Sequence, residues 1–298
     1  MNQLKFSDLG LADPIQLALK TRNHDTPTPI QQEAIPELLK GSDVLGIAQT
    51  GTGKTGAFAL PILHKLSKNQ PKDKRREPRA LILAPTRELA IQIGEEIAAY
   101  GQNLQLRHTV IFGGVKQNPQ VNALRRGIDI IVATPGRLLD LMSQGFIDLN
   151  GCAFLVLDEA DRMLDMGFVH DVRKIVSALP NKRQSLLFSA TMPKEIARLS
   201  GDMLNNPVRI EVTPQATPIE SITQNIYHVG AADKTKLLSS IMDDPSLSKV
   251  IVFTRTKHRA NRVADKLGKS GVDAEAIHGN KSQGARQRAL KSFRTGDI

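Results

Sequence analysis

Val44-Leu45-Gly46-Ile47-Ala48-Gln49-Thr50-Gly51-Thr52-Gly53-Lys54-Thr55 is the stretch on which the fold turns. Val44–Ala48 is a short apolar run that reads as a strand. A glycine-punctuated turn follows, and then an amphipathic stretch near Lys54–Leu66 that reads as a helix. In a strand–loop–helix unit of this kind, backbone N–H groups converge on a phosphate and the helix N-terminus adds a favourable dipole. Gln49, Thr50, Gly51, Thr52 and Gly53 form the cradle, Lys54 reaches the β- and γ-phosphates, and the Thr55 hydroxyl serves Mg2+. The strict form of this motif begins with glycine; Ala48 stands there instead. A glycine-rich turn with no ligand is the alternative, but the strand–loop–helix context and the G-K-T ending argue against it.

Outward from this unit, short apolar runs alternate with longer amphipathic stretches. The expected strands are Val44–Ala48, Ala80–Ala84, Leu106–Phe112, Ile128–Ala133, Phe154–Asp158, Ser185–Ser189 and Val208–Val212. Helical patterns lie near Glu88–Tyr100, Asn118–Arg126, Arg137–Ser143, Val169–Ala178 and Lys194–Met203. Solid apolar runs such as Phe154-Leu155-Val156-Leu157 belong to strands covered on both faces. The alternation therefore predicts an α/β fold with a parallel, doubly wound sheet over residues 1–212. The proline-containing stretch Thr213–Glu220 breaks the pattern and sets a linker at 213–221.

The pattern restarts over 222–298, with strands expected at Ile222–His228, Val250–Phe253 and Ala274–His278 and helices at Lys234–Met242, Arg259–Lys269 and Gln283–Phe293. Three strands are few for a sheet, and the chain ends at Thr295-Gly296-Asp297-Ile298 where another is expected, so this second α/β domain is read as partial.

The chain of 298 residues carries a formal net charge of +10, and residues 221–298 hold 14 Lys+Arg against 7 Asp+Glu. That balance suits a polyanionic partner. Trp is absent and aromatics are 4%, which argues against base-stacking platforms and leaves a nucleic-acid backbone as the expected target. The run Lys72–Arg79 reads as a solvated loop. No apolar run is long enough for a membrane span, Met1–Leu11 has no basic-then-apolar leader, and the single cysteine, Cys152, has no disulfide partner within the chain. A cytoplasmic setting without membrane contact is the expectation. Cys152, Met163 and Met166 read as packing residues.

Asp158-Glu159-Ala160-Asp161 sits directly at the carboxyl end of the Phe154–Leu157 strand, where open α/β sheets place their ligands. Asp158 is placed to share Mg2+ with Thr55, and Glu159 to orient or deprotonate an attacking water. Asp161 is expected to organise neighbouring loops.

This tetrad spells D-E-A-D. It is accompanied by Pro85-Thr86-Arg87-Glu88-Leu89-Ala90, Gly113-Gly114, Thr134-Pro135-Gly136-Arg137, Ser189-Ala190-Thr191 and, upstream, Pro27-Thr28-Pro29-Ile30-Gln31. The set, in this order, resembles the DEAD-box RNA helicases over essentially the whole chain, built from RecA-like P-loop domains. Ile111–Val115 and His278–Gln283 are similar to the bacterial RhlE group. The resemblance implies ATP or ADP and Mg2+ as ligands, RNA as substrate, and proteins of ribosome assembly or RNA decay as partners.

It also implies roles. Gln31 makes paired hydrogen bonds to the adenine edge, with Thr28 beside it and Phe6 bracing the segment. The family places Gly and then Phe or Tyr at positions 23 and 24; Asn23-His24 stands here, so adenine is expected to stack on a smaller ring and bind more weakly. Pro85, Thr86, Arg87, Gly113, Gly114, Thr134, Pro135, Gly136 and Arg137 form the RNA-facing set, since hydroxyls, backbone N–H groups and arginines hold phosphates. Ser189 and Thr191, with Asp161, resemble the relay between the ATP and RNA sites. In the second domain, Thr254, Arg255 and Lys257 read equally as phosphate contacts or as a solvated loop, as does Gln283-Gly284-Ala285-Arg286. The family's A-R-G-x-D and H-R-x-G-R-x-x-R stretches occur nowhere in residues 1–298. The second carries the arginine fingers, so weak hydrolysis is expected of these residues alone.

Overall fold

A computed structural model describes residues 4–69, 77–212 and 223–298. The chain separates into two compact units, Met1–Thr217 and Pro218–Ile298. The first half of unit one runs α1 (Asp13–Thr21), α2 (Pro29–Lys40), β1 (Val44–Ile47), α3 (Lys54–Lys68), β2 (Ala80–Leu83), α4 (Arg87–Tyr100) and β3 (His108–Ile111). It continues with α5 (Asn118–Arg125), β4 (Ile130–Ala133), α6 (Pro135–Ser143), β5 (Phe154–Leu157), α7 (Ala160–Asp165), α8 (Val169–Ser177), β6 (Gln184–Ser189), α9 (Lys194–Met203) and β7 (Val208–Glu211). Every strand expected in this unit is present, shortened by a residue or two at its ends except β6, which begins one residue earlier, at Gln184.

The seven strands form one sheet in the order β3-β4-β2-β5-β6-β1-β7, with every pairing parallel. Period-2 alternation sends successive side chains to opposite faces. Ile82 and Val156 enter the core under α2, α3 and α4, packed with Ile30, Phe58 and Ile93. Their neighbours Leu81, Leu83, Leu155 and Leu157 enter the core under α6, α8 and α9, packed with Leu138, Ile175 and Leu199. Burial on both faces is why the strands read as solid apolar runs. Gly46 is required by packing, because a Cβ there would lie 2.5 Å from the Phe188 ring. Because all strands run the same way, the loops that follow them gather along one edge of the sheet.

Three helices of this unit lie outside the helical stretches expected from the sequence. One is α2, which contains Pro36; the Thr28–Gln31 capping box at its start is nevertheless a readable signature. The others are α1 and the six-residue α7. Cys152 is a core residue whose thiol burial, chiefly, pushes up to about 12. Met163 is buried as expected, whereas Met166 ends α7 and is 45% exposed, so its reading as a packing residue is corrected.

Unit two contains α10 (Lys234–Met242), α11 (Lys257–Lys269) and α12 (Gln283–Thr295). Thr256 and Ser282 cap α11 and α12, their hydroxyls accepting from Arg259 N and Ala285 N at 3.2 Å each. The strands expected at Val250–Phe253, Ala274–His278 and the described part of Ile222–His228 are corrected: no residue of unit two pairs in a ladder among those described. Apolar sequence creates a need for burial, but a strand exists only beside a partner. Val250–Phe253 and Ala274–His278 instead line an apolar cavity of about 600 Å³ with α11 and α12, and Phe253 is 92% exposed. The Thr213–Glu220 linker and most of the Lys72–Arg79 run lie outside the described residues.

Candidate functional site

At the carboxyl edge of the unit-one sheet, the glycine loop leaves β1 and enters α3. Gly51 and Gly53 adopt φ of 81° and 91°, which allow the chain to wrap the turn without a side-chain clash. Lys54, the first residue of α3, is buried and its Nζ donates to Ala48 O at 3.1 Å. Thr52 Oγ1 donates to Gln49 O at 2.8 Å and closes the loop.

The same edge receives Asp158 from β5. Its backbone N–H donates to Leu83 O at 3.0 Å, and the residue is 2% exposed. Burial raises the Asp158 carboxyl to about 6, against the lowering effect of the Lys54 charge. Asp158 Oδ1 is buried with no hydrogen-bond partner among the described residues. Glu159 follows with φ 54° and ψ 54°, a left-handed conformation that is strained for a residue with a Cβ.

A cavity of about 780 Å³ joins these groups. His24, Thr28, Gln31, Thr50, Gly51, Gly53, Lys54, Thr55, Asp158 and Glu159 line it, as does Phe6. Gln49 and Thr52, expected in the cradle, do not; they hold the loop's shape. The cavity also takes in Arg22, Leu89, Gln92, Glu96 and Tyr100, which the sequence reading did not single out. The spacing of Leu89, Gln92, Glu96 and Tyr100 along one face of α4 was the available signal.

Gln31 is fixed by both ends of its amide. Its Oε1 accepts from Thr28 N and its Nε2 donates to Gly53 O, each at 2.9 Å. Phe6 N donates to Asp25 O at 3.1 Å, tying the N-terminal segment to the loop before α2. Asn23 takes φ 57°, the conformation most readily met by glycine, so this position has a backbone reason for the glycine expected there.

Asp161 joins the β5 and β6 loops. Its Oδ2 accepts from Thr191 N at 2.9 Å and Thr191 Oγ1 at 2.8 Å. Ser189 Oγ accepts from Asp161 N at 3.2 Å and donates to Thr191 O at 2.7 Å. Burial works to raise the Asp161 carboxyl, but the hydrogen bonds from Thr191 and Ser189 outweigh it and hold the group below its ordinary value.

The remaining candidate residues follow β2, β3 and β4. Pro85 and Thr86 lead into α4, which Thr86 caps, its Oγ1 accepting from Leu89 N at 3.2 Å. Gly114, at φ 78°, lies so close to Arg87 that an added Cβ would come within 2.2 Å of Nη1, and Gly113 lies beside the same guanidinium. Thr134 and Pro135 are buried at the start of α6, Gly136 has open space around it, and Arg137 Nε lies 3.2 Å from Asp140 Oδ2. Arg137 Nη1 is buried without a partner among the described residues. Within unit two, Thr254 Oγ1 donates to Thr256 O at 3.1 Å, and Arg255 is exposed in the turn before α11.

Residues 28–199 match the family model described as DEAD/DEAH box helicase. The chain belongs to that family. Residues 233–298 match the helicase conserved C-terminal domain. The chain is 40% identical over 294 residues to the ATP-dependent RNA helicase DeaD of Escherichia coli K12, covering 98% of this chain and 46% of that protein. It is 40% identical over 293 residues to the DEAD-box ATP-dependent RNA helicase CshA of Bacillus cereus, covering 98% and 55%. The chain thus spans about half the length of these curated relatives. The crystal structure of a DEAD box protein from the hyperthermophile Methanococcus jannaschii superimposes with a TM-score of 0.67 at 35% identity, covering 99% of this chain and 78% of that one.

Proposed function

We propose that this chain forms the ATP-binding and RNA-gripping part of an ATP-dependent RNA helicase that separates short duplexes locally. The observation that carries the reading is the meeting, in one cavity, of a lysine-bearing glycine loop and a buried carboxylate with an unpartnered oxygen. A buried anion without a partner is costly to maintain and needs a cation.

The residues fit Mg2+. Asp158 and Thr55 offer a carboxylate and a hydroxyl, both hard oxygen donors, and one or two protein ligands plus substrate phosphates are the usual Mg2+ set. When bound, the ion neutralises charge on the phosphates. Lys54 and the loop N–H groups hold the β- and γ-phosphates in line, and Glu159 orients the attacking water and takes its proton. Gln31 reads the adenine edge once its amide leaves Gly53 O. Asp161, Ser189 and Thr191 form one hydrogen-bonded unit through which phosphate occupancy reaches the RNA-facing loops.

Arg87, Arg137, Thr86, Thr134 and the N–H groups near Gly113, Gly114 and Gly136 grip one RNA strand by its backbone, with little sequence preference. Residues 1–298 contain no arginine-finger stretch. We therefore propose that they bind ADP and ATP but turn ATP over slowly, by roughly 10³–10⁵ against a complete site. Measuring ATPase rate with and without RNA tests both claims. RNA-stimulated turnover at rates of a complete helicase would overturn the second. Absence of nucleotide binding would overturn the first.

A further inference from the structure

We propose that Arg22 contacts the purine base of the bound nucleotide, as one wall of the base site; this rests on the nucleotide reading above. Arg22 lies just after α1 and lines the same cavity as Lys54 and Asp158. Two contacts fix its guanidinium, and one of its nitrogens is left without a partner. Nη2 lies 2.8 Å from Glu96 Oε1, and Cζ sits 4.8 Å from the centroid of the Tyr100 ring. Nη1 is buried without a hydrogen-bond partner among the described residues.

An ion pair that merely ties α1 to α4 is complete with Nη2. It gives no reason to bury Nη1, which is costly to leave unmade. His24 stands beside the same Tyr100 ring, their centroids 6.2 Å apart and tilted by 55°. Arg22, His24 and Tyr100 thus form one continuous run of planar groups, with Tyr100 buried behind and the other two half-exposed at the cavity.

The chemistry matches a purine nucleotide. A nucleotide whose phosphates rest on the Lys54 loop must place its base among the lining groups that are not acidic or phosphate-holding. A guanidinium is planar, permanently charged and weakly hydrated, so it stacks on an electron-rich ring while its N–H groups donate to ring nitrogens. The Glu96 carboxylate holds the fork in place and so positions it.

Calorimetric titration of the full chain with ADP and, separately, with pyrophosphate tests the assignment for wild type, Arg22→Ala and Arg22→Lys. Pyrophosphate reports the phosphate cradle without a base. Arg22→Ala is expected to weaken ADP about tenfold while leaving pyrophosphate unchanged, and Arg22→Lys to lose part of that, since an ammonium does not stack as a plane. ADP affinity within twofold of wild type in Arg22→Ala would overturn the proposal. So would equal losses for ADP and pyrophosphate with a lowered Tm, which would assign Arg22 to holding α1 against α4. A wild-type chain that binds neither probe would instead overturn the nucleotide reading itself.

Discussion

Two halves of one sheet edge carry different chemistry. The loops after β1, β5 and β6 present Lys54, Asp158, Glu159 and Asp161, one cation among three acids. The loops after β2, β3 and β4 present Arg87 and Arg137 with hydroxyls and glycines, and the acids near them, Glu88 and Asp140, lie within the helices that follow. A mixed set with a buried unpartnered carboxylate oxygen suits a phosphate accompanied by a metal ion; a set of cations and N–H donors suits a phosphate chain alone. The halves meet where β2 pairs with β5, and Asp158 N bonds to Leu83 O across that line. The lesson is that strand order, fixed by packing, sorts the motifs into two sets of groups that adjoin.

The largest expected effect breaks the nucleotide half alone. Lys54→Ala should weaken ADP binding by roughly a hundredfold, while RNA affinity measured without nucleotide stays put. An equal fall in both would mean that the edge is a single site. On the other half, Gly114→Ala should displace Arg87, because the new Cβ meets Nη1 at 2.2 Å and the backbone is left-handed. RNA affinity by fluorescence anisotropy is expected to drop about tenfold with ADP binding unaltered; unchanged RNA affinity would remove Arg87 from the RNA surface.

The boundary itself is tested by Asp161→Asn, which weakens the bonds to Thr191. Both ligands should still bind, but any change in RNA affinity that ATP produces in the unsubstituted chain should vanish; if that coupling survives, the Asp161–Thr191 contact is structural only.

Asp158 gives a smaller and signed effect. Its folded value, about 6, lies above the ordinary 3.8. Between those values the folded chain holds a proton that the unfolded chain has released, so this group's contribution to stability falls as pH rises through the window. Asp158→Asn should therefore raise the metal-free Tm by a few degrees at pH 8, with the gain fading towards pH 4, and should abolish Mg2+-dependent tightening of ATP. A lower Tm at pH 8 would show the carboxylate to be paired after all. Smallest is His24→Phe, expected to tighten ADP a few-fold through a larger stacking face; no change in titration would take His24 out of the base site.

How far the sequence reached depended on the range of the interaction involved. The β1 loop, the β5 tip and the seven strands of unit one rest on local pattern: glycines where the chain must turn, apolar runs where both faces are covered. Spacing puts Glu96 and Tyr100 on one face of α4 without saying what that face meets, and Arg22 was not legible as a site residue, because the common cavity depends on α1 lying against α4, separated by 74 residues between Arg22 and Glu96. The Val250–Phe253 run misled for the opposite reason. Its local pattern is a strand's, but pairing is a property of two segments, and no partner stands beside it among the described residues.

By itself the sequence determined the alternating α/β order, the phosphate loop and the identity of each charged group at a strand tip, since these follow from side-chain period and backbone sterics over a few residues. Only the tertiary structure decided which tips adjoin, that Asp158 is buried with an orphan oxygen, and that Gln31 and Arg22 share one cavity. Burial and neighbourhood are set by how distant segments pack, and it is burial that turns an ordinary carboxyl into one raised to about 6.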